Sequence, residues 1–232
     1  LLINCPSYGD TLGFWESNTN LWKSLYLEKK LKESGFTVKM SRRYSGGTNE
    51  LESSAYDKAL HVIGAESQAY GSDYFISIHS NAGPTGEDGS FANYPLYIYK
   101  GYDGEPSNWA SEDMAYSSIM RLYEIFDDED GPEPTTYYSP SNPNLRGSSS
   151  FYGYTLGALN HSVHGYLTEG YFHTYSPARH RALNPDWCRQ EGVRYYRGIM
   201  DYYGYSGESV GYILGYVRSM TEMFSHAYYI SM

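Results

Sequence analysis

Segments with the two-residue period of a strand alternate along this chain with segments of helical period, and this alternation is what most limits the folds open to it. Residues 36–40 alternate apolar and polar, residues 74–79 form a short apolar run between Gly71 and Asn81, and residues 94–100 and 166–172 read as further strands. Between and around them, residues 16–34, 50–70, 108–126 and 185–203 repeat apolar side chains at helical spacing, and Gly35 is a natural stop for the first helix. Strands alternating with helices predict an α/β domain with a mostly parallel twisted sheet and helices on both faces. Residues 1–14 read as loop, or as one short apolar strand entering Cys5 and Pro6, and residues 151–159 read as a strand. The long Pro- and acid-rich stretch 127–146 is expected to be loop.

The 232 residues suffice for one sizeable domain and a piece of another. After Gly204 the character changes: residues 212–217 and 226–230 look like β-strands too few to bury a core. Residues 1–204 are therefore expected to be one domain, and 205–232 the opening of a second, β-rich one. A formal net charge of -10 argues against nucleic acid or anionic lipid as a partner. No apolar run approaches the ~20 residues that a membrane-spanning helix needs. Two cysteines make neither a zinc–thiolate site nor a disulfide scaffold. The 28 tyrosines, about one residue in eight, suit half-buried strand positions or a glycan-binding face.

Open α/β sheets place their sites at the carboxyl ends of the strands. His79 ends one strand, before Ser80 and Asn81. Glu169 ends another, before Gly170, and a carboxylate among apolar neighbours needs a partner. Glu16 opens the first helix after Phe14 and Trp15, where an acid also complements the helix dipole. These three groups from distant segments are candidates for one cleft. His161, His164 and His173 lie near Glu169 in sequence and are read as loop or rim histidines, and the acidic run 127–130 as a solvated turn.

Five segments carry a family resemblance. "GFWESN", "GFTVKMSRR", "DYFISIHSNA", "NLRGSSSFYGY" and "GYLTEGYFHTY" occur in that order. Together they resemble the zinc-dependent N-acetylmuramoyl-L-alanine amidases with an α/β catalytic domain, over about residues 1–203. The resemblance implies Glu16 and His79 as metal ligands, Glu169 as the catalytic residue, and Asn81 and Arg146 as substrate-binding residues. It implies zinc as the cofactor. It also implies a peptidoglycan substrate, hydrolysed at the amide between N-acetylmuramic acid and L-alanine by metal-activated water, and a monomer working in the periplasm or outside the bacterial cell.

One departure stands out. The family's first metal ligand is a histidine in a Gly-His-Gly-Gly turn, and no histidine precedes Glu16 here. The expectation is that the chain starts after that turn, so that residues 1–10 are an irregular loop and the first strand with its metal histidine is missing. Alternatives are a catalytically inactive peptidoglycan-binding or scaffold module, and a related zinc carboxypeptidase or amidohydrolase.

Overall fold

A computed structural model describes residues 2–5, 10–43, 58–83, 93–105, 109–125, 144–151 and 157–205. Strands β1 (Leu2–Cys5) and β2 (Asp10–Trp15) form an antiparallel ribbon that pairs Leu2 with Trp15 and Ile3 with Phe14. Residues 2–5 and 10 are thus strand, where an irregular loop was expected over residues 1–10. Helix α1 (Glu16–Glu33) follows without a break. It ends where Gly35 takes a φ of 89° and the Phe36 amide donates to Leu31 O at 3.0 Å, a geometry that only glycine adopts at no steric cost. Lys30 and Lys32 in its last turn complement the helix dipole.

The remaining elements are α2 (Leu60–Ala69), β3 (Phe75–Asn81), β4 (Leu96–Tyr99), α3 (Trp109–Leu122), β5 (Leu145–Gly147), α4 (Ser148–Phe151), α5 (Gly157–His161), β6 (Gly165–Phe172), α6 (Ser176–Ala182) and α7 (Pro185–Tyr202). Four strands form the main sheet in the order β3-β6-β4-β5. The β3–β6 and β4–β5 pairs are parallel, and β4–β6 is antiparallel. The α/β class, the mostly parallel sheet and the helices on both faces are as the sequence pattern implies. Helix α7 starts on Pro185, with Asn184 accepting from the Asp186 amide at 2.9 Å, which satisfies a donor that a helix start leaves open.

Alternation along the strands divides the core between the two faces. Tyr97, Tyr99 and Tyr166 face α1, α3 and α7, with Leu27, Met114, Ile119 and Ile199. Leu96, Ile98 and Leu167 face the other way and pack with Leu159 of α5. Several tyrosines are core residues with bonded hydroxyls: Tyr166 is fully buried, stacks on Tyr97 at 5.6 Å, and its hydroxyl is 2.7 Å from Ser118 Oγ.

Three local expectations change. Where a strand was expected over residues 151–159, the described residues 151 and 157–159 belong to the helices at 148–151 and 157–161. A short apolar run does not declare its period, and here Leu159 fills the sheet face while Gly64 of α2 lets Ala158 come close. Residues 36–40 are not assigned as strand, although Phe36, Val38 and Met40 are half-buried and Thr37 and Lys39 exposed. Among the described residues β3 has no ladder partner on its outer edge, and a cavity of about 830 Å³ lies there, lined by Leu21, Leu27, Val38, Ile63 and Ile76. Helix α6 was not expected from the sequence pattern. Residues 50–57, all of 127–143 with the acidic run 127–130, and all of the expected second domain except Tyr205 lie outside the described residues. No helix among the described residues is long and apolar enough to cross a membrane.

Candidate active site

β3 and β6 deliver the first two groups. Their parallel register sets His79 directly beside Glu169, so both side chains leave the sheet at its carboxyl edge on one face. The ladder slips between His79 and Asn81, which turns Ser80 out of the regular repeat. Glu16 arrives from the other side, at the first turn of α1. Its Oε1 lies 3.2 Å from His79 Nδ1 and accepts from the Ser80 amide at 3.0 Å and from Asn20 Nδ2 at 3.1 Å. His79 Nε2 is 3.0 Å from Ser77 Oγ, so both ring nitrogens are engaged and the ring orientation is set. The site is half-open, with 38% of the His79 side chain and 23% of the Glu16 side chain exposed.

The two carboxylates titrate in opposite directions. Burial works against ionisation of Glu16, but hydrogen bonds from His79 and the Ser80 amide and the charge of His79 overcome it, and hold its pKa at about 2. Burial pushes Glu169 up to about 8; the Glu16 charge adds to this, while His79 and Lys23 oppose it. Glu169 Oε2 is buried and has no hydrogen-bond partner. His79 is raised: burial disfavours its charged form, but the Glu16 hydrogen bond and the Glu169 and Glu16 charges outweigh that.

A shell that the sequence pattern did not single out surrounds these groups. His173, in the turn after β6, is 3% exposed and stacks on Phe14 at 5.5 Å. Its Nδ1 is 3.0 Å from Ser80 Oγ, and its Nε2 is buried with no hydrogen-bond partner. It is therefore an interior residue, not one on a rim. The His173 amide donates to Asn81 O at 2.8 Å, and Gly83 N donates to Thr174 Oγ1 at 2.8 Å, which knits the ends of β3 and β6 together. Asn81 closes β3, with its side-chain oxygen accepting from the Ala82 amide at 2.8 Å. Arg146 lies on β5, two strands from β6, opposite Ile98, with Nη1 donating to Leu145 O at 3.0 Å. The structure thus brings Glu16, His79 and Glu169 together and leaves Arg146 at the far edge of the sheet. His161 ends α5 and meets His61 edge-on at 6.0 Å, away from these groups.

A carboxylate and an imidazole in contact, beside a buried oxygen without a partner, are donors of the kind zinc takes. In number they fall short: among the described residues no group of three or more His, Cys, Asp or Glu is arranged to hold a metal ion.

No family model matches this sequence, and no curated protein does. In structure the chain is similar to the N-acetylmuramyl-L-alanine amidase Ami1 from Mycobacterium smegmatis, with a TM-score of 0.61 at 17% identity over 83% of this chain and 78% of that one. It is similar to the CwlD amidase from Clostridioides difficile, solved in complex with the GerS lipoprotein, with a TM-score of 0.57 at 16% identity over 87% and 90% of the two chains. Cwp6 from Clostridium difficile gives 0.58 at 20% identity over 82% of this chain, which spans only 25% of Cwp6. The chain has the α/β fold of the N-acetylmuramoyl-L-alanine amidases.

Proposed function

We propose that the chain is a peptidoglycan hydrolase that cleaves the amide between N-acetylmuramic acid and L-alanine, with zinc as its metal, acting outside the bacterial cytoplasm. The observation that carries this reading is the convergence of Glu16, His79 and Glu169: a 3.2 Å contact between the first two, and the third beside His79 across the ladder with a free buried oxygen. Glu16 and His79 would hold the metal, which supplies a polarised carbonyl and an acidified water. Two protein ligands are fewer than the three usual in zinc hydrolases, so affinity through these two alone is weak.

The chain's own groups do the rest. In the metal-free chain Glu169, with a pKa of about 8, is mostly protonated at neutral pH; a cation held beside it would favour the carboxylate, the form that can take a proton at Oε2 and return it to the departing amine. The low pKa of Glu16 keeps it ionised throughout, as a ligand must be. Ser77 and the Ser80 amide orient His79 and Glu16. Asn81, at the end of β3, is the nearer of the two substrate-binding candidates; Arg146 could serve only a part of the substrate reaching β5.

The test compares Glu16→Gln with Glu169→Gln. Zinc stoichiometry is measured on purified protein, and new L-alanine amino termini are measured on digested cell wall. The reading expects Glu16→Gln to lose metal, and Glu169→Gln to keep metal and lose turnover. Equal zinc content in both variants, with turnover intact in Glu169→Gln, would reject it. The inactive-module reading is favoured by one observation, the lack of a third ligand among the described residues. It expects cell-wall binding without new amino termini.

A further inference from the structure

Lys23 and Glu191 form an ion pair at 2.8 Å with side chains 0% and 1% exposed; beyond the pull of the Lys23 charge on Glu169, the proposed chemistry gives the pair no part. The pair lies between α1, α7 and β6. Lys23 Nζ sits 4.3 Å above the Tyr171 ring, and the Tyr195 hydroxyl donates to Glu191 Oε1. Glu191 rests on the backbone of Gly170, the residue after Glu169; a Cβ there would overlap Glu191 Oε1 and come within 2.9 Å of Tyr195 Oη. Helix α1 approaches α7 so closely at this level that a Cβ on Gly192 would be 2.7 Å from Lys23 O.

Such a pair is a poor stability device. Glu191 Oε2 is buried with no hydrogen-bond partner, and two buried charges can often be replaced by apolar groups of the same volume at little or no cost. What the pair does supply is direction. Lys23 follows Glu16 by seven residues, two turns later on the same face of α1, with Asn20 between them donating to Glu16 Oε1. Apolar contacts are non-directional, whereas an ion pair at 2.8 Å, packed where a Cβ on Gly170 would overlap Glu191 Oε1, fixes its two partners in direction and distance. A slip of α1 by one residue moves Glu16 by about 1.5 Å along the helix axis, enough to break its contacts with His79 Nδ1 and the Ser80 amide.

We propose that the Lys23–Glu191 pair is the positioning device of the site: it fixes α1 against Gly170 of β6 and against α7, so that Glu16 reaches His79 and Ser80 over the carboxyl edge of the sheet. Lys23 and Glu191 are positioning residues, acting through Glu16 and the strand that carries Glu169. The catalytic consequence rests on the proposed function; the geometric one does not.

The test uses the full chain with Lys23→Met, Glu191→Gln and the double variant. Each single change leaves a polar group unmatched and lowers Tm. The double variant is expected to recover the wild-type Tm, or exceed it, without recovering the site. The ¹⁵N spectrum of the His79 ring, which reads the bond to Glu16 whatever the activity, should shift from that of the wild type. The kcat should stay down by ~10–100-fold with little change in KM. A double variant whose ring spectrum and kcat return to wild type together with its Tm would overturn the proposal and make the pair purely structural. Should the double variant not fold, Glu191→Gln carries the ring measurement with the same two outcomes, since glutamine keeps the shape and an acceptor for Tyr195. If the wild type itself releases no amino termini from cell wall, the proposed function fails, and the ring spectrum still decides the role of the pair.

Discussion

Glu169 stands directly beside His79 across the parallel β3–β6 ladder, and Glu16 meets the same histidine from the start of α1 at 3.2 Å. One imidazole is thus shared by two carboxylates whose surroundings differ. Glu16 is surrounded by donors and is held at about 2, while Glu169 lacks a donor at Oε2 and is pushed up to about 8. Environments that drive two carboxyl groups apart are those that separate a permanently ionised role from a proton-transfer role.

Glu169→Gln is expected to fold and to be more stable than the wild type when both are metal-free at pH 8. The amide has nearly the same shape and no charge to bury. The gain should be on the order of 1–3 kcal/mol, read by urea denaturation. The same change should lower cell-wall turnover by ~10²–10⁴-fold. A less stable variant would mean that the Glu169 carboxylate is better solvated than its surroundings indicate.

The pH dependence of stability follows from the same pair. The folded-state pKa of Glu169 is raised, so the unfolded chain ionises first. Stability of the metal-free protein should fall as pH rises from about 4.5 to about 8, and then level off. Glu16 is depressed, so its contribution is complete above about 4.5 and is lost as pH falls toward about 2. Denaturant midpoints across pH 3–9 should rise and then decline. Glu169→Gln should shrink the decline to the part that the raised His79 contributes above about pH 6.5, and leave the acid limb in place.

Gly170→Ala is expected to be severely destabilising, by about 2 kcal/mol or more, because the new methyl group meets Glu191 and Tyr195 where neither has room to retreat. Gly35→Ala should cost about 1 kcal/mol for a different reason: there is open space around it, but a φ of 89°. Thermal melts of the two variants separate crowding from backbone strain. Gly170→Ala combined with Glu191→Ala should cost less than the two single changes added together, because the first clash is then gone, whereas no neighbouring change should rescue Gly35→Ala.

Periodicity made the α/β class legible, and the position of His79 and Glu169 at strand ends made two of the three clustered side chains legible from the sequence. Glu16 was a weaker candidate by position, because an acid in a first helical turn is common for ordinary reasons, and the segment "GFWESN" added the weight. The helices at 148–151 and 157–161 were not legible, since segments of four and five residues are too short to show either period. Lys23 and Glu191 are 168 positions apart, and each looks like a surface residue on its own helix; only the packing of α1 on α7 turns them inward. His173 looked like one loop histidine among several, and its burial depends on Phe14 and Ser80 arriving from other segments. The Ser80 donor is a backbone amide, which leaves no mark on side-chain pattern.

The central claim is that Glu169 serves the hydrolysis of the muramoyl–alanine amide. The most direct measurement is the appearance of free L-alanine amino termini when purified peptidoglycan is incubated with the protein and zinc, quantified by mass spectrometry of the released peptides. The account predicts release by the wild type and its near-complete loss in Glu169→Gln. Undetectable release by a folded, zinc-supplied wild type, or equal release by both proteins, would contradict it.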